Sequence, residues 1–559
     1  MAVISATGSS NISAVTSAST SLDTEALIEA AVEQRLAAAD AIELNITAAE
    51  AKLSAYQQLQ TLLLTLSSTA DNLKNPASST QSDAFDGRAV TLSASGGGTA
   101  TNLIGATVED GAQTGSYDIV VEQVAKNHKI ASDGIANSGT DLGLSGSFTL
   151  GAAGSETVTI DVDAGMSLSE IAAAINASSD DSGVSASILK VSSSSYILVL
   201  SASETDAQIS LGDSSGSVLE TLGLVTASGG IGNELQAAAP AILTIDGIEV
   251  TRSSNEIDDL IDGVTLYLYD GDENTTVTLD IGADLTGISN AITDFVDAYN
   301  ALRDFILTNQ ATGSDGTAAD DAVLFGSSLL RDISNELSSL FGTSTDDGAT
   351  QLSTIGITLD ANNYLVIDST ALADALSTDL DAVAGLFRFE ATTSSTDLAV
   401  INNGTGGASG DYTFDIAVDG DGNISSVSVN GDSSLFTVTG NRIKGKDGTI
   451  FEGMTFAYIG STSASVEVSI SRGVGQLFAD RLNDYVGAYA GADGARLTEE
   501  MSALQDGIDR METDVSNIER RTEDYRAWLT EYYARIEAQI NAASRLRDQL
   551  EQLLADNND

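Results

Sequence analysis

A seven-residue repeat of apolar side chains runs along the end of this chain, from Leu497 to Ile536. Its positions alternate steps of four and three residues, and only Thr522 interrupts them with a polar side chain. This spacing predicts one long helix from Leu497 to the last residue, with an apolar stripe that needs a second helix beside it. We call the stripe the C-terminal seam; it consists of Leu497, Met501, Leu504, Ile508, Met511, Val515, Ile518, Tyr525, Leu529, Tyr532 and Ile536.

A comparable stripe near the other end offers that second helix. Between Ser21 and Lys74 the apolar residues again share one face, Ser21 can cap the helix, and Asp23 and Glu25 place negative charge in its first turn. This N-terminal seam consists of Ile28, Val32, Ala39, Ile42, Ile46, Ala49, Leu53, Tyr56 and Leu63. The repeat can be the seam of an intramolecular bundle or an oligomer interface, and both remain open.

The length of the predicted C-terminal helix bears on that choice. From Leu497 to Leu553 it would extend about 85 Å, which is longer than a typical domain is wide. Part of it is therefore expected to project from the body or to pair with other subunits.

Composition narrows the class of protein. At 559 residues and 42% hydrophobic residues, the chain can build several cores. Its net charge of −57 argues against nucleic acid and anionic membrane surfaces as partners, and most of this charge fits a solvated surface in salty surroundings. The absence of cysteine excludes disulfides and thiolate chemistry. No apolar stretch predicts membrane insertion, and residues 1–21 lack the pattern of a cleaved secretion signal.

The expected fold is a multidomain α+β protein. Its long N- and C-terminal helices form a coiled-coil or helical-bundle leg region, and β-rich inserted domains make the head. We expect these regions: a mobile N-terminal segment (1–20), a helical region (21–75), β-rich head domains (76–240) including a small α+β unit (about 140–212), a hairpin plus helical bundle (241–389), an additional β-rich insert (390–470), and C-terminal helices with the heptad coiled coil (471–559).

Local signals support this division. Ser167 and Glu170 form a capping box before a short helix, and Asp246-Gly247 is typical of a hairpin turn. Helical patterns extend over about 285–307, 321–341 and 370–387, and could pack with the terminal helices as a bundle.

Two stretches of the chain resemble each other. In each stretch two predicted strands precede a helix. The strand at 263–266 is similar to the one at 453–456, and the strand at 276–281 is similar to the one at 465–470. Tyr117 begins a strand pattern that is also found from Tyr412. The sequence therefore predicts a duplicated β domain, although unrelated sheets can share such short patterns.

No catalytic set, cofactor site or metal site is expected. The single histidine, His128, lies among polar residues and is predicted to be a surface residue at a strand end. The runs 270–274 and 419–423 begin like calcium loops but lack the required glycine and glutamate, so we interpret them as tight turns. The glycines at 96–98 are interpreted as a linker.

Several segments resemble a known family, the bacterial flagellar filament cap or hook-associated protein 2 family. Residues 21–28 resemble its leading segment, and residues 115–125 resemble the strand closing its N-terminal region. A motif shared by flagellins and hook-associated proteins is similar to residues 168–176, 183–186 and 197–201. The most specific match lies in the C-terminal half, at residues 246–248, 251–257, 258–266, 295–300, 355–357 and 528–550. The resemblance excludes about 390–470.

The resemblance implies an extracellular, non-enzymatic protein at the flagellar tip, exported through the flagellar channel without a cleaved signal. It would form a homo-oligomer, most often a pentamer, that holds back emerging flagellin and helps it join the filament. The terminal helices would contact the filament end as legs, the β domains would form the plate, and the two seams would carry the packing. Hook–filament junction proteins and an export chaperone would be further partners.

Three other functions remain open. A hook–filament junction protein or a flagellin would share the helical ends, although the region from Arg252 to Asn255 and the chain length suit the cap family better. An extracellular adhesin would use the acidic β domains to bind host glycans or matrix. An enzyme is the weakest alternative, because no nucleophile or acid–base motif supports it.

Overall fold

A computed structural model describes residues 23–74, 82–342, 352–404, 407–487 and 495–555. Within these ranges the chain forms one helical body, two β-sandwiches and an α+β domain. The helices are α1 (Thr24–Asp71), α2 (Ala100–Leu103), α3 (Leu168–Asn176), α4 (Ser179–Ser182), α5 (Val218–Thr221), α6 (Leu285–Gln310), α7 (Ser328–Gly342), α8 (Ser369–Thr378), α9 (Leu380–Phe387), α10 (Val474–Val486) and α11 (Arg496–Ala555). None of the helices in these ranges is long and apolar enough to cross a bilayer.

The strands follow one another in mostly antiparallel pairs. They are β1 (Arg88–Ser95), β2 (Ile104–Val108), β3 (Gly115–Gln123), β4 (Asn127–Ala131), β5 (Gly146–Ala152), β6 (Val158–Val162), β7 (Val184–Ser192), β8 (Ser195–Thr205), β9 (Ile209–Ser215), β10 (Glu234–Gln236), β11 (Ala241–Ile245), β12 (Ile248–Arg252), β13 (Glu256–Ile261), β14 (Val264–Leu268), β15 (Thr276–Ala283), β16 (Ile357–Leu359), β17 (Leu365–Ile367), β18 (Phe389–Thr393), β19 (Leu398–Asn403), β20 (Gly410–Val418), β21 (Ile424–Val429), β22 (Phe436–Thr439), β23 (Arg442–Gly445), β24 (Met454–Tyr458) and β25 (Ala464–Arg472).

The helical body joins distant parts of the chain around one core. The C-terminal half of α1, α6 to α10 and the first turns of α11 all contribute buried apolar side chains to it. At its centre the rings of Phe295 and Phe478 meet edge to face at 5.2 Å, a favourable aromatic geometry. The predicted packing of the middle helices with the terminal helices as a bundle is therefore confirmed.

Three helix predictions need correction or restriction. The predicted Ser21 cap lies outside the described residues; α1 begins at Thr24, and Asp23 accepts a hydrogen bond from Ala26 N. The helix predicted over 370–387 is two helices, because Asp379 leaves helical geometry and caps α9 by accepting from Ala382 N. The helix predicted from Asp321 begins at Ser328, after a segment of turns.

The first sandwich, residues 88–125 and 241–283, packs two sheets face to face. Their strand orders are β1-β15-β3-β11-β12 and β13-β14-β2. The predicted hairpin turn between β11 and β12 is confirmed, since Asp246 and Gly247 both have positive φ. Buried residues from both inner faces, among them Ile119, Leu243 and Leu266, form the core.

The α+β domain occupies the chain between β3 and β11. Its sheets have the orders β10-β4-β8-β7 and β6-β5-β9. Helix α3 buries Leu168, Ile171 and Ile175 in this domain, and its predicted capping box between Ser167 and Glu170 is confirmed. Hydrogen bonds within this box lower the pKa of Glu170.

The second sandwich, residues 389–472, repeats the first. Its sheets have the orders β18-β25-β20-β21 and β19-β24-β23-β22. In the first sandwich Gly115 lies opposite Ile281 and Tyr117 opposite Leu279; in the second, Gly410 lies opposite Ile470 and Tyr412 opposite Val468. Seven strands of the second sandwich keep the order of their counterparts in the first, and the register of the central pair agrees, so the predicted duplication is confirmed. The sandwiches differ at one edge, where β12 pairs with β11 but β22 pairs with β23.

Both sandwiches also leave the helical body in the same way. In the first, Asp284 N donates to Gly87 O at 3.0 Å, and in the second Gly473 N donates to Arg388 O at 2.7 Å. The α+β domain enters the first sandwich between β3 and β11, whereas the matching loop of the second is the short turn from Asp419 to Asn423. The second sandwich thus lacks the inserted domain that the first one carries.

Candidate functional site

Helix α1 pairs with α11 as far as Glu537, and the two terminal helices together form what we call the leg of the molecule. Thr24 Oγ1 donates to Glu537 Oε1 at 3.0 Å, and the Arg35 guanidinium lies 3.6 Å from the ring centroid of Tyr525. As the start of α1 meets the later part of α11, the helices are antiparallel. The helix that fills the C-terminal seam therefore comes from the same chain.

These two contacts also set the register between the seams. Extended along both helices, this register sets Leu63 opposite Leu497 and Ala39 opposite Thr522. The polar residue that interrupts the C-terminal seam thus faces a small partner. Thr522 is buried, and its hydroxyl donates to Ile518 O at 2.7 Å, so its polar atom is satisfied within the helix.

Burial along the seams is uneven. The structure buries Leu497, Ile508, Val515 and Leu529 of the C-terminal seam and Val32, Ala39, Tyr56 and Leu63 of the N-terminal seam. The seam residues that remain half-buried are Met501, Leu504, Met511, Ile518, Tyr525 and Ile536 on α11, and Ile28, Ile42, Ile46, Ala49 and Leu53 on α1. Tyr532 is 46% exposed. Two helices alone cannot enclose both stripes, so apolar surface remains along the leg.

The base of the leg is anchored in the helical body. Tyr56 shares a 2.9 Å hydrogen bond with Ser327, and burial raises its pKa. On α11, Leu497 is fully buried in the body core, and Arg496 pairs with Asp332 at 2.5 Å. The base of the leg is therefore held in the core of the helical body.

An aromatic ladder lines the outer part of α11. Trp528 stacks between Tyr525 and Tyr532, with ring centroids 5.8 Å and 5.3 Å apart. Trp528 is 54% exposed although it is the only tryptophan in the chain. The seam analysis missed Trp528 because it lies beside the stripe; its spacing of three and four residues from the two tyrosines was the available signal.

Beyond Glu537, α11 continues for several turns without meeting α1 in the described part of the chain. Ile540, Leu546, Leu550 and Leu553 are all exposed there. Large apolar side chains at such spacing are typical of a helix that pairs with another helix. This end of the leg, with the aromatic ladder, is therefore the candidate binding surface among the described residues.

The histidine prediction was wrong. His128 is fully buried, its Nδ1 accepts from Ile209 N at 2.9 Å, and its Nε2 lies 3.0 Å from Glu234 Oε1. A polar local sequence hid this burial because the contacts come from β9 and β10. Both ring nitrogens have structural partners, which is the pattern of a core residue and not of a catalytic base.

The two Asp-rich runs form turns, as predicted. Asp419 Oδ1 accepts from the backbone of Asp421 and Asn423, and Asp272 accepts from Asn274 N and Thr275 Oγ1. Among the described residues, no group of three potential ligands lies close enough together to hold a metal ion. The turns therefore use their carboxylates to bind their own backbone.

Comparison with known proteins gives the family. The model for the flagellar hook-associated protein 2 N-terminus matches residues 20–128, and that for the C-terminus matches residues 238–544, which include the second sandwich. The flagellin hook IN motif matches residues 147–204, within the α+β domain. Together these matches cover the helical body, both sandwiches, most of the leg and part of the α+β domain.

Individual relatives agree with this result. The flagellar hook-associated protein 2 of Aeromonas caviae is 29% identical over 403 residues, covering 68% of this chain and 83% of that protein. The Salmonella typhimurium protein of the same name is 34% identical, covering 41% of this chain and 51% of that protein. The crystal structure of the flagellar cap protein FliD D1-D2-D3 domains from Escherichia coli is 28% identical, covers 59% of this chain and 89% of that chain, and has a TM-score of 0.45. The chain therefore belongs to the flagellar hook-associated protein 2 family, the family of flagellar filament cap proteins.

Proposed function

We propose that this protein caps the distal tip of the bacterial flagellum, where it prevents loss of exported flagellin and promotes its polymerisation into the filament. The observation that carries the proposal is the leg. Paired helices project from the helical body and end in exposed aromatic and aliphatic side chains, which suit a partner built from helices. The comparisons place the chain in a family of caps and give no support to an adhesin.

The two seams would have different tasks along the leg. Near the helical body the buried residues, such as Leu63 and Leu497, hold the two terminal helices together. Farther out, Tyr525, Trp528 and Tyr532 offer half-buried or exposed rings that can gain further burial. The outer leg would contact the filament end or the leg of a neighbouring subunit, and the inner leg would transmit that contact to the head.

The working form would be a homo-oligomer, with a pentamer expected. Its further partners would be flagellin, the hook–filament junction proteins and an export chaperone. The site of action would be extracellular, at the growing end of the filament, after export through the flagellar channel without a cleaved signal. The net charge of −57 would keep the protein soluble there.

The test measures free flagellin in the culture medium of a strain in which this gene is deleted, together with filament length. We expect abundant unpolymerised flagellin and bare hooks, both corrected by adding the purified protein. A variant carrying Trp528→Ala and Tyr532→Ala should fail to correct them. The matched control, Leu44→Ala with Leu64→Ala, removes exposed leucines from the part of α1 nearer the helical body and should succeed. Normal filaments without leakage in the deletion strain would overturn the proposal.

A further inference from the structure

The duplicated sandwiches carry opposite charges at equivalent positions. In the first sandwich Ile257 lies opposite Leu266 and Glu256 opposite Tyr267. In the second, Ile443 lies opposite Phe456 and Arg442 opposite Ala457. Strand β23 therefore corresponds to β13.

This correspondence extends to the outward-facing charges. Arg442 matches Glu256, and Lys444 matches Asp258; all four side chains are exposed. The chain as a whole is acidic, with 81 acidic and 24 basic residues, but this sheet face of the second sandwich is basic.

The cationic face of the second sandwich has no acidic neighbour in its own sheet. Arg442 lies between Thr439 and Ala457, and Lys444 lies between Thr437 and Thr455. Neither cation forms an ion pair within the part of the chain that the structure describes. Small side chains around them leave the surface flat, so a second sheet face can approach it closely.

Both outer faces also present one large apolar side chain at the same place. Tyr269 follows β14 and is 59% exposed, and Ile459 follows β24 and is 72% exposed. In the first sandwich Gly105 makes room for Tyr269, since an added Cβ would lie 2.3 Å from its hydroxyl. Tyrosine and arginine are enriched among the residues that contribute most to protein interfaces, and these faces present Tyr269 and Arg442.

We propose that the basic outer face of the second sandwich docks on the acidic outer face of the first sandwich in a neighbouring copy of this chain. The two faces are complementary in charge and built on the same strand framework, and they lie on different parts of the molecule. Such a contact is head-to-tail, and repeated head-to-tail contacts form a closed ring when the rotation between neighbouring subunits closes. The proposal rests on the proposed oligomeric cap. In it the function of the second sandwich is to join neighbouring subunits in the head.

Cysteine cross-linking tests the contact directly, because the chain has no cysteine of its own. Thr265→Cys and Thr455→Cys place one thiol in the middle of each outer face, on separate chains with tags of different mass. Mixing the two full-length proteins under mild oxidation should give a mixed disulfide dimer that neither variant gives alone. A dimer of Thr455→Cys with itself, or no cross-link in the mixture, would overturn the proposal.

Charge reversal gives a second, independent measurement. Arg442→Glu with Lys444→Glu should weaken self-association in sedimentation by roughly tenfold or more, since like charges would then meet. Adding Glu256→Lys and Asp258→Lys to the same chain should restore it. The matched control, Lys126→Glu with Lys190→Glu, makes the same change in charge on the α+β domain and should leave association unchanged. Failure of the fourfold variant to recover would overturn the proposed pairing of faces.

The failure of this contact can be distinguished from failure of the cap itself. The charge-reversal variants are added to the deletion strain, and flagellin in the medium is measured. Two results together would reject the docking of the two faces and leave the cap function standing. The charge-reversal variant would still prevent the loss of flagellin into the medium, and the mixed cysteine proteins would give no cross-link.

Discussion

The guanidinium of Arg388 donates through Nε to Asp83 Oδ2 at 2.6 Å, although the two residues lie 305 positions apart. Asp83 precedes the first sandwich, Arg388 precedes the second, and Asp86 accepts a further hydrogen bond from Arg388 at 2.9 Å. The rings of Phe85 and Phe387 meet beside this contact, with centroids 6.1 Å apart. One ion-pair cluster therefore holds the two points at which the repeated domains leave the helical body.

Replacing Arg388 should be costly. Arg388→Met leaves the buried carboxylate of Asp83 without its cation, and we expect a loss of about 3–5 kcal/mol in the free energy of unfolding. Arg252→Met is the matched control, because Arg252 and Asp259 form an exposed pair worth about 0–1 kcal/mol. Urea unfolding of both variants at pH 7 measures the difference. Equal losses would contradict a special role for Arg388.

The same substitution should make stability depend on pH. Burial raises the pKa of Asp83, and Arg388 opposes that rise, so Arg388→Met should raise the pKa further. A carboxyl whose folded pKa exceeds its unfolded pKa stabilises the fold below the unfolded value and loses this contribution as pH rises through the folded value. The difference between wild type and variant should therefore grow from about pH 4 towards pH 7. Urea midpoints at unit pH steps measure it; a constant difference would contradict the assignment.

The seam can be tested within α11. Leu504→Asp with Ile508→Asp places two carboxylates against α1, and we expect the leg helices to separate and cap assembly to be abolished. Analytical ultracentrifugation measures the oligomers. Leu44→Asp with Ala51→Asp introduces the same charges on the exposed side of α1, away from its outer end, and should leave assembly intact. If the seam variant forms the same oligomers as the wild type, the prediction is wrong.

The aromatic ladder provides its own probe. Trp528 is the only tryptophan, so its fluorescence reports directly on the outer leg. Adding filament fragments should shift the emission maximum to shorter wavelength, because the exposed ring becomes buried on contact. The Trp528→Phe variant, titrated in parallel, supplies the background signal. An unchanged spectrum with bound filaments would show that Trp528 lies outside the contact.

Much of the architecture was accessible from local sequence. The apolar repeat predicted α11, Ser167 and Glu170 predicted the start of α3, and Asp246-Gly247 predicted the hairpin. Such signals succeed because helix periodicity, capping and turns depend on residues a few positions apart. The break at Asp379 was missed because its cap lies within an otherwise continuous apolar pattern.

The sequence by itself determined the long terminal helices, the β-rich middle and the similarity between the two sandwiches. Each of these can be recognised from the spacing of residues a few positions apart. Only the tertiary structure decided that α1 fills the C-terminal seam, that His128 is buried, and that Glu256 and Arg442 occupy matching positions. These relations depend on register and packing between segments far apart in the chain. Local patterns cannot specify them, because the same stripe or strand can pair with several partners until the whole core is assembled.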